Sequence, residues 1–187
     1  MSTIENMARP PRARESVLDA FESLLVADGE RAATMDATAR VAGVSKGGLL
    51  YHFATKDALE AAIVERLDAL VDEDVAALEA AEEGPVAFYL RTSVMADDPL
   101  DRAIIATSRL AQGGSHRAAD ALRRMRSRWA EALRPHVLDE AALDLVLLLS
   151  DGLYYNNALA SEGVAGPVPG GDALTALIAR VEASVRR

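Results

Sequence analysis

Between residues 34 and 53, two stretches with helical apolar spacing are so short and so close together that few folds accommodate them. Thr34 is a suitable N-cap for the first helix, and Asp36 lies in its first turn, where negative charge favours the helix dipole. Gly43 can adopt the positive φ that ends this helix, and Ser45 caps the next one two residues later. The segment therefore predicts a helix-turn-helix. Its small core is predicted from Met35, Val41, Val44, Leu49 and Leu50, with Ala39 and Ala42 allowing close helix approach.

The outward face of the second short helix carries hydrogen-bond donors and bare backbone. Gly47 and Gly48 each cost up to about 1 kcal/mol relative to Ala in a helix interior, and such violations tend to mark functional positions. Their benefit would be close approach of the helix to a phosphate-lined groove. The predicted outward residues are Ser45, Lys46, Gly47, Tyr51 and His52.

Residues 14–66 resemble the helix-turn-helix region of the TetR family, through Ala42-Gly43-Val44-Ser45, Lys46-Gly47 and the run from Leu50 to Phe53. The resemblance implies that Lys46 and Gly47 face the bases of double-stranded DNA. One departure is Thr38, where the family usually has Ile or Val; its hydroxyl can bond back to the Thr34 carbonyl. The residues that the resemblance implies to contact phosphates are Thr34, Ser45, Tyr51, His52 and Lys56.

The rest of the chain shows helical periodicity and no alternating strand pattern, which predicts an all-α fold of about nine helices. We expect an N-terminal three-helix DNA-binding domain with its preceding arm over residues 1–54, and a C-terminal helical bundle for ligand binding and dimerisation over residues 55–187. Residues 1–13 are expected to form a mobile basic arm. Further helices are expected over 14–28, 55–82, 86–96, 100–112, 115–134 and 139–161, with Asp172 capping the last one.

Charge and composition limit the possible functions. The net charge is −9, and all of it lies beyond residue 56, because residues 1–56 balance seven acidic with seven basic residues. Only the N-terminal end is therefore a plausible DNA-docking face. The arginines at 9, 12 and 14 either contact DNA or form a solvated tail, and the arginine-rich stretch 117–128 is more typical of a solvated helix face than of a second nucleic-acid site.

Catalysis has little support in the sequence. The three histidines lack metal-ligand spacing, there is no cysteine, and the aspartates near residue 98 are typical of turns and helix caps. We therefore expect no enzyme activity, no cofactor and no metal. No predicted helix is apolar enough to span a membrane, and the absence of cysteine is consistent with a cytoplasmic protein.

The predicted helix 139–161 is apolar nearly all round between Ala141 and Leu149, and the last helix carries an apolar stripe at Leu174, Leu177, Ile178, Val181 and Val185. Both resemble the two-helix contribution of TetR-type proteins to a homodimer, whose two-fold symmetry suits a palindromic operator. The predicted function is a repressor released by a small molecule; the alternatives are a DNA-binding regulator without an inducer, or an enzyme or interaction bundle with a relic motif. Predicted ligand-lining residues are Phe88, Thr92, Met95, Ile105, Arg109, Trp129, Tyr154 and Asn157.

Overall fold

The computed structural model describes residues 10–94, 98–158 and 166–186. Within these ranges the chain forms α-helices, one short 3-10 helix and no strand, which confirms the predicted all-α fold. The nine α-helices are α1 (Pro10–Asp28), α2 (Met35–Val41), α3 (Lys46–His52), α4 (Lys56–Ala80), α5 (Pro85–Thr92), α6 (Pro99–Gln112), α7 (His116–Leu133), α8 (Glu140–Ala158) and α9 (Gly171–Val185). The 3-10 helix, Arg134–His136, follows α7 directly.

Several helix ends differ from the predictions. Helix α1 begins at Pro10, inside the predicted arm, because the first turn of a helix needs no backbone donor and so tolerates proline. Helix α5 ends at Thr92, earlier than expected. The prediction that Asp172 caps the last helix is wrong: Gly170 is the N-cap of α9, and Asp172 lies inside the first turn. The predicted end of α8 at residue 161 lies outside the described residues.

The described chain divides into two compact units. The first unit comprises the chain up to Leu70 together with Pro99–Arg123, and the second comprises Val71–Asp98 together with the chain from Arg124 onward. Helices α4 and α7 each contribute to both units. As a boundary between DNA-binding and ligand-binding regions, the division after residue 54 stays a prediction.

Each unit has its own apolar core. In the first unit, α1 packs against α2, α3 and α6, and fully buried Phe21, Leu25 and Leu49 lie at the centre. In the second unit, α5, α8 and α9 pack against one another around Leu90, Val146 and other aliphatic side chains. The stripe of α9 is buried in this core, so these side chains stabilise the unit itself. No helix in the described ranges is long and apolar enough to cross a membrane.

Candidate DNA interface and candidate ligand site

The turn between α2 and α3 is fixed by side-chain caps and one left-handed glycine. The Thr34 hydroxyl accepts the Ala37 N–H at 3.2 Å, and the Ser45 hydroxyl accepts the Gly48 N–H at 3.1 Å. Gly43 has φ +68°, a conformation that side chains disfavour, as the turn requires. These contacts confirm the predicted helix-turn-helix. Because each capping oxygen accepts, each hydroxyl hydrogen is free to donate elsewhere.

Thr38, which departs from the family pattern, makes the hydrogen bond to the Thr34 carbonyl that the sequence predicted. Its hydroxyl donates to the Thr34 carbonyl at 2.9 Å, and the side chain is fully buried. The Thr34 carbonyl thus accepts a hydrogen bond from the buried side-chain hydroxyl of Thr38. This makes a threonine acceptable in this apolar position.

Helix α3 is held by one large side chain. Leu49 is fully buried, whereas Leu50 is 42% exposed, so the prediction that Leu50 belongs to the core is wrong. The same holds for Val41, which is 52% exposed. A seven-residue helix makes only two turns, and its inward face has room for little more than Leu49. Met35 and Val44 pack partly buried against the core as expected.

The outward face of α3 is open and polar. Tyr51 is 83% exposed, and its ring meets the His52 ring edge-on at 5.1 Å between centroids. A Cβ added to Gly47 would meet no atom within 4 Å, so internal packing does not require glycine there. The exposed Lys46 ammonium lies 2.9 Å from the Asp36 carboxylate. Such exposed pairs contribute little stability, which leaves Lys46 free to exchange partners.

Two further cations lie near the end of α3, one in contact with Phe53 and one at the start of the next helix. The Arg14 guanidinium lies over the Phe53 ring, 4.9 Å from its centroid, which attaches the start of α1 to the end of α3. Lys56, at the start of α4, pairs with the Glu30 carboxylate and also donates to the Glu30 carbonyl at 3.3 Å. The carboxylate partners of the two lysines, Asp36 and Glu30, were not predicted from the sequence; Asp36 was interpreted only as a first-turn acid.

The predicted ligand-lining residues do not all fall in one unit. Ile105 and Arg109 lie on α6 in the first unit, and Arg109 is exposed. Met95 lies outside the described residues. The others lie half-buried in the second unit: Phe88, Thr92, Trp129, Tyr154 and Asn157.

A polar network in the second unit escaped the sequence analysis. The hydroxyls of Ser93 and Ser150 are 2.7 Å apart and buried, and Tyr89 hydrogen-bonds to Ser150. Burial, which outweighs that hydrogen bond, raises the pKa of Tyr89 to about 12. The helical spacing of Val86, Tyr89, Leu90 and Ser93 along one face of α5 is the signal that could have found it.

Trp129 joins this region through its polar edge. Its indole N–H donates to the Asp74 carboxylate at 2.8 Å, and its ring lies 5.6 Å from the Tyr89 ring. Burial raises the pKa of Asp74, although the hydrogen bond from Trp129 acts in the opposite direction. Among the described residues, no group of three histidines and carboxylates could hold a metal ion.

Three solved structures are similar to this chain over nearly its whole length. Salmonella enterica GusR has 17% sequence identity and a TM-score of 0.65, covering 96% of this chain and 98% of its own. The TetR-family member SCO1917 from Streptomyces coelicolor A3 has 20% identity and a TM-score of 0.63, with coverage of 91% and 98%. A protein from Saccharomonospora viridis, in complex with choline, has 17% identity and a TM-score of 0.66, with coverage of 95% and 100%. No protein of curated function matches the sequence significantly.

The capped turn, the buried Leu49 and the open polar face of α3 define a helix-turn-helix protein of the DNA-binding class. Residues 17–63 match the family described as bacterial regulatory proteins, tetR family. This N-terminal segment is therefore a helix-turn-helix domain of the TetR type, as its sequence motif indicated.

Proposed function

We propose that the chain is a cytoplasmic repressor that binds a palindromic operator as a homodimer and releases it when a small molecule binds the C-terminal bundle. The observation that carries the DNA-binding part is the outward face of α3, where Lys46, Gly47 and Tyr51 are exposed. The N-cap of this helix and the buried side chain of Leu49 hold it in place. In this proposal Lys46 and Gly47 meet base edges. The phosphate contacts come from Thr34, Ser45, Tyr51, His52 and Lys56.

The exposed side of α8 supports dimerisation. Leu148 is 70% exposed, Tyr155 65% and Leu145 46%, and with Ala141 and Gly152 they follow one face at alternating intervals of four and three residues. Exposed alanines at 176, 179 and 183 of α9 have the same spacing and would permit close helix approach. Such continuous apolar faces mark interaction sites, and two copies of each helix would form a four-helix interface.

The interface is tested by substituting Leu148 with Asp and measuring mass by sedimentation. The wild type should sediment at about twice the chain mass and Leu148→Asp as a monomer, because a carboxylate would be buried at the centre of the apolar contact. Asp144→Asn, on an exposed neighbouring position, is the matched control and should remain dimeric. A wild-type protein that is a folded monomer at micromolar concentration contradicts the proposal.

Ligand release is supported by the position of α4 in the chain. This helix starts at Lys56, beside the proposed DNA face, and continues unbroken into the second unit. A ligand that favours one arrangement of the bundle over another could shift α4 and so change the spacing of two recognition helices. A coupling of about 1–3 kcal/mol would lower DNA affinity by one to two orders of magnitude.

Trp129 is the only tryptophan, so its fluorescence reports on the second unit alone. In a screen of small, mainly apolar metabolites, we expect one compound to change this emission and to dissociate a labelled DNA duplex over the same concentration range. Trp129→Phe should abolish the optical signal and leave DNA release measurable by anisotropy. A compound that binds stoichiometrically without changing DNA affinity would contradict release through a shift of α4 for that compound. If no compound affects DNA binding, the regulator without an inducer is the better description.

A further inference from the structure

We propose that Glu30 restrains Lys56 and that the turn between α6 and α7 holds Glu30 in the restraining position. The inference rests on the proposed function, in which Lys56 contacts a DNA phosphate. Three segments of the first unit meet at this point: the connection from α1 to α2, the start of α4 and the turn after α6. Glu30 thereby becomes a positioning residue through which the α6–α7 turn influences DNA affinity.

The two lysines of the chain have different carboxylate partners. Lys46 and Asp36 are well exposed, with 61% and 73% of their side chains accessible, and their atoms are 2.9 Å apart. Lys56 and Glu30 are only 30% and 28% accessible, and the Lys56 ammonium is also bound by the Glu30 carbonyl. Because water and salt screen a half-buried pair less than an exposed one, Lys56 gives up its partner less readily.

The Glu30 side chain packs against Gly113, in the turn after α6. A Cβ at Gly113 would lie 2.8 Å from Glu30 Cγ and 3.2 Å from both its Cβ and Cδ, so the Glu30 side chain lies directly against the main chain of the turn. The next residues reinforce the connection, because the Ser115 hydroxyl hydrogen-bonds to the Glu60 carboxylate, which lies near Lys56 on α4. The turn therefore contacts two carboxylates, those of Glu30 and Glu60, that interact with Lys56.

The Glu30 side chain also has space into which it can move. An open cleft of 380 Å³ lies beside it, bounded by the end of α1, the Arg31 region and the end of α6. If the turn shifted, the carboxylate could swing into this cleft, and the Lys56 ammonium would lose the one carboxylate that contacts it directly among the described residues. An unpaired lysine attracts a phosphate more strongly than one already paired with a carboxylate. Displacement of the turn should therefore raise DNA affinity, and maintenance of the contact should keep it low.

The test uses anisotropy of a fluorescein-labelled, mixed-sequence duplex at several salt concentrations, since phosphate contacts are independent of sequence. Glu30→Gln should bind about two- to fivefold more tightly than wild type, the range expected for removal of a partly exposed pair. Lys56→Ala should bind more weakly, with a salt slope shallower by about 0.9. Asp28→Asn removes the same charge two residues away and is the matched control for long-range repulsion.

The double variant decides whether the effect passes through Lys56. Added to Lys56→Ala, Glu30→Gln should gain no more affinity than Asp28→Asn does. Gly113→Ala should displace Glu30 and tighten binding like Glu30→Gln, whereas Gly170→Ala, where a Cβ meets nothing within 4 Å, should not. Thermal unfolding by circular dichroism establishes that each variant is folded, and Glu30→Gln remains decisive if Gly113→Ala does not fold.

The outcomes separate this inference from the proposed function. Weaker binding by Glu30→Gln overturns the inference, because Glu30 would then align Lys56 for DNA. A gain equal to that of Asp28→Asn, or one that persists without Lys56, also overturns it. If Lys56→Ala changes neither affinity nor salt slope, the phosphate contact fails and the inference fails with it. If Lys56→Ala has its effect and Glu30→Gln has none, only the inference is lost.

Discussion

In the first unit, Arg66 of α4 binds three carboxylates of α1, whereas in the second unit a buried polar contact between the end of α5 and α8 joins neutral hydroxyls. Arg66 lies 3.0 Å from Glu15, 2.8 Å from Asp19 and 3.2 Å from Glu22. The second unit instead has the Ser93–Ser150 pair at 2.7 Å. In the first unit α4 is thus joined to α1 by charge, whereas this buried polar contact of the second unit is neutral and lies inside an apolar core.

The difference is clearest at Glu22. Its side chain is only 7% accessible, and Arg102 of α6 contacts the same oxygen as Arg66, at 3.5 Å. The other oxygen, Oε1, has no hydrogen-bond partner among the described residues. A buried carboxylate depends on its cations, so α1, α4 and α6 are tied to one arrangement. A fixed arrangement of these helices suits the unit that presents α3.

The largest effect should come from the single anchor of α3. Leu49→Ala removes the one large buried side chain of this helix and should lower the free energy of unfolding by about 2–5 kcal/mol. Leu50→Ala, one residue along and 42% exposed, is the matched control and should cost much less. Urea denaturation followed by circular dichroism measures both. Equal losses would mean that the inward and outward faces of α3 are not distinct.

Removal of the ionic contact should have the next largest effect. Arg66→Met leaves Glu22 with only Arg102, and we expect a loss of about 1–3 kcal/mol, below the full cost of breaking a buried pair because Arg66 is partly accessible. In the second unit, Arg91 also binds a carboxylate, that of Glu83 at 2.8 Å, but this pair is on the surface. Arg91→Met should therefore change stability little. Similar losses for both variants would remove the contrast between the units.

The neutral network of the second unit should fail at alkaline pH. Since burial raises the pKa of Tyr89 to about 12, the folded state keeps this proton where the unfolded chain, with a pKa near 10, loses it. Its contribution to stability is therefore complete below pH 10 and is lost as the pH rises to about 12. Urea midpoints measured across this range should fall less for Tyr89→Phe than for wild type.

Two further features of this titration can be checked. At neutral pH, Tyr89→Phe should cost about 1 kcal/mol for the hydrogen bond to Ser150. Tyr51→Phe, on an 83% exposed side chain, should keep the wild-type alkaline loss. If Tyr89→Phe and wild type lose stability in parallel between pH 10 and 12, the network does not depend on the Tyr89 proton.

The distance along the chain between contacting residues explains how much of the structure the sequence could predict. The caps at Thr34 and Ser45, the glycine turn and the Thr38 hydrogen bond are local, so neighbouring residues determine them. Contacts such as Arg66–Glu15 and Ser93–Ser150 join residues about fifty positions apart, and spacing along one helix does not reveal its partner. Leu50 was assigned to the core because it is apolar, although a two-turn helix offers too little inward surface for it.

The central claim, that the outward face of α3 reads DNA, is tested most directly by comparing two lysine variants on two duplexes. Affinities are measured for a duplex from the region flanking the chain's own gene and for an unrelated duplex of equal length. We predict that Lys56→Ala weakens both complexes by the same factor, because it removes a phosphate contact, and that Lys46→Ala reduces the ratio between them, because it removes a base contact. The account is contradicted if the folded wild-type protein binds neither duplex, or if Lys46→Ala leaves both affinities unchanged.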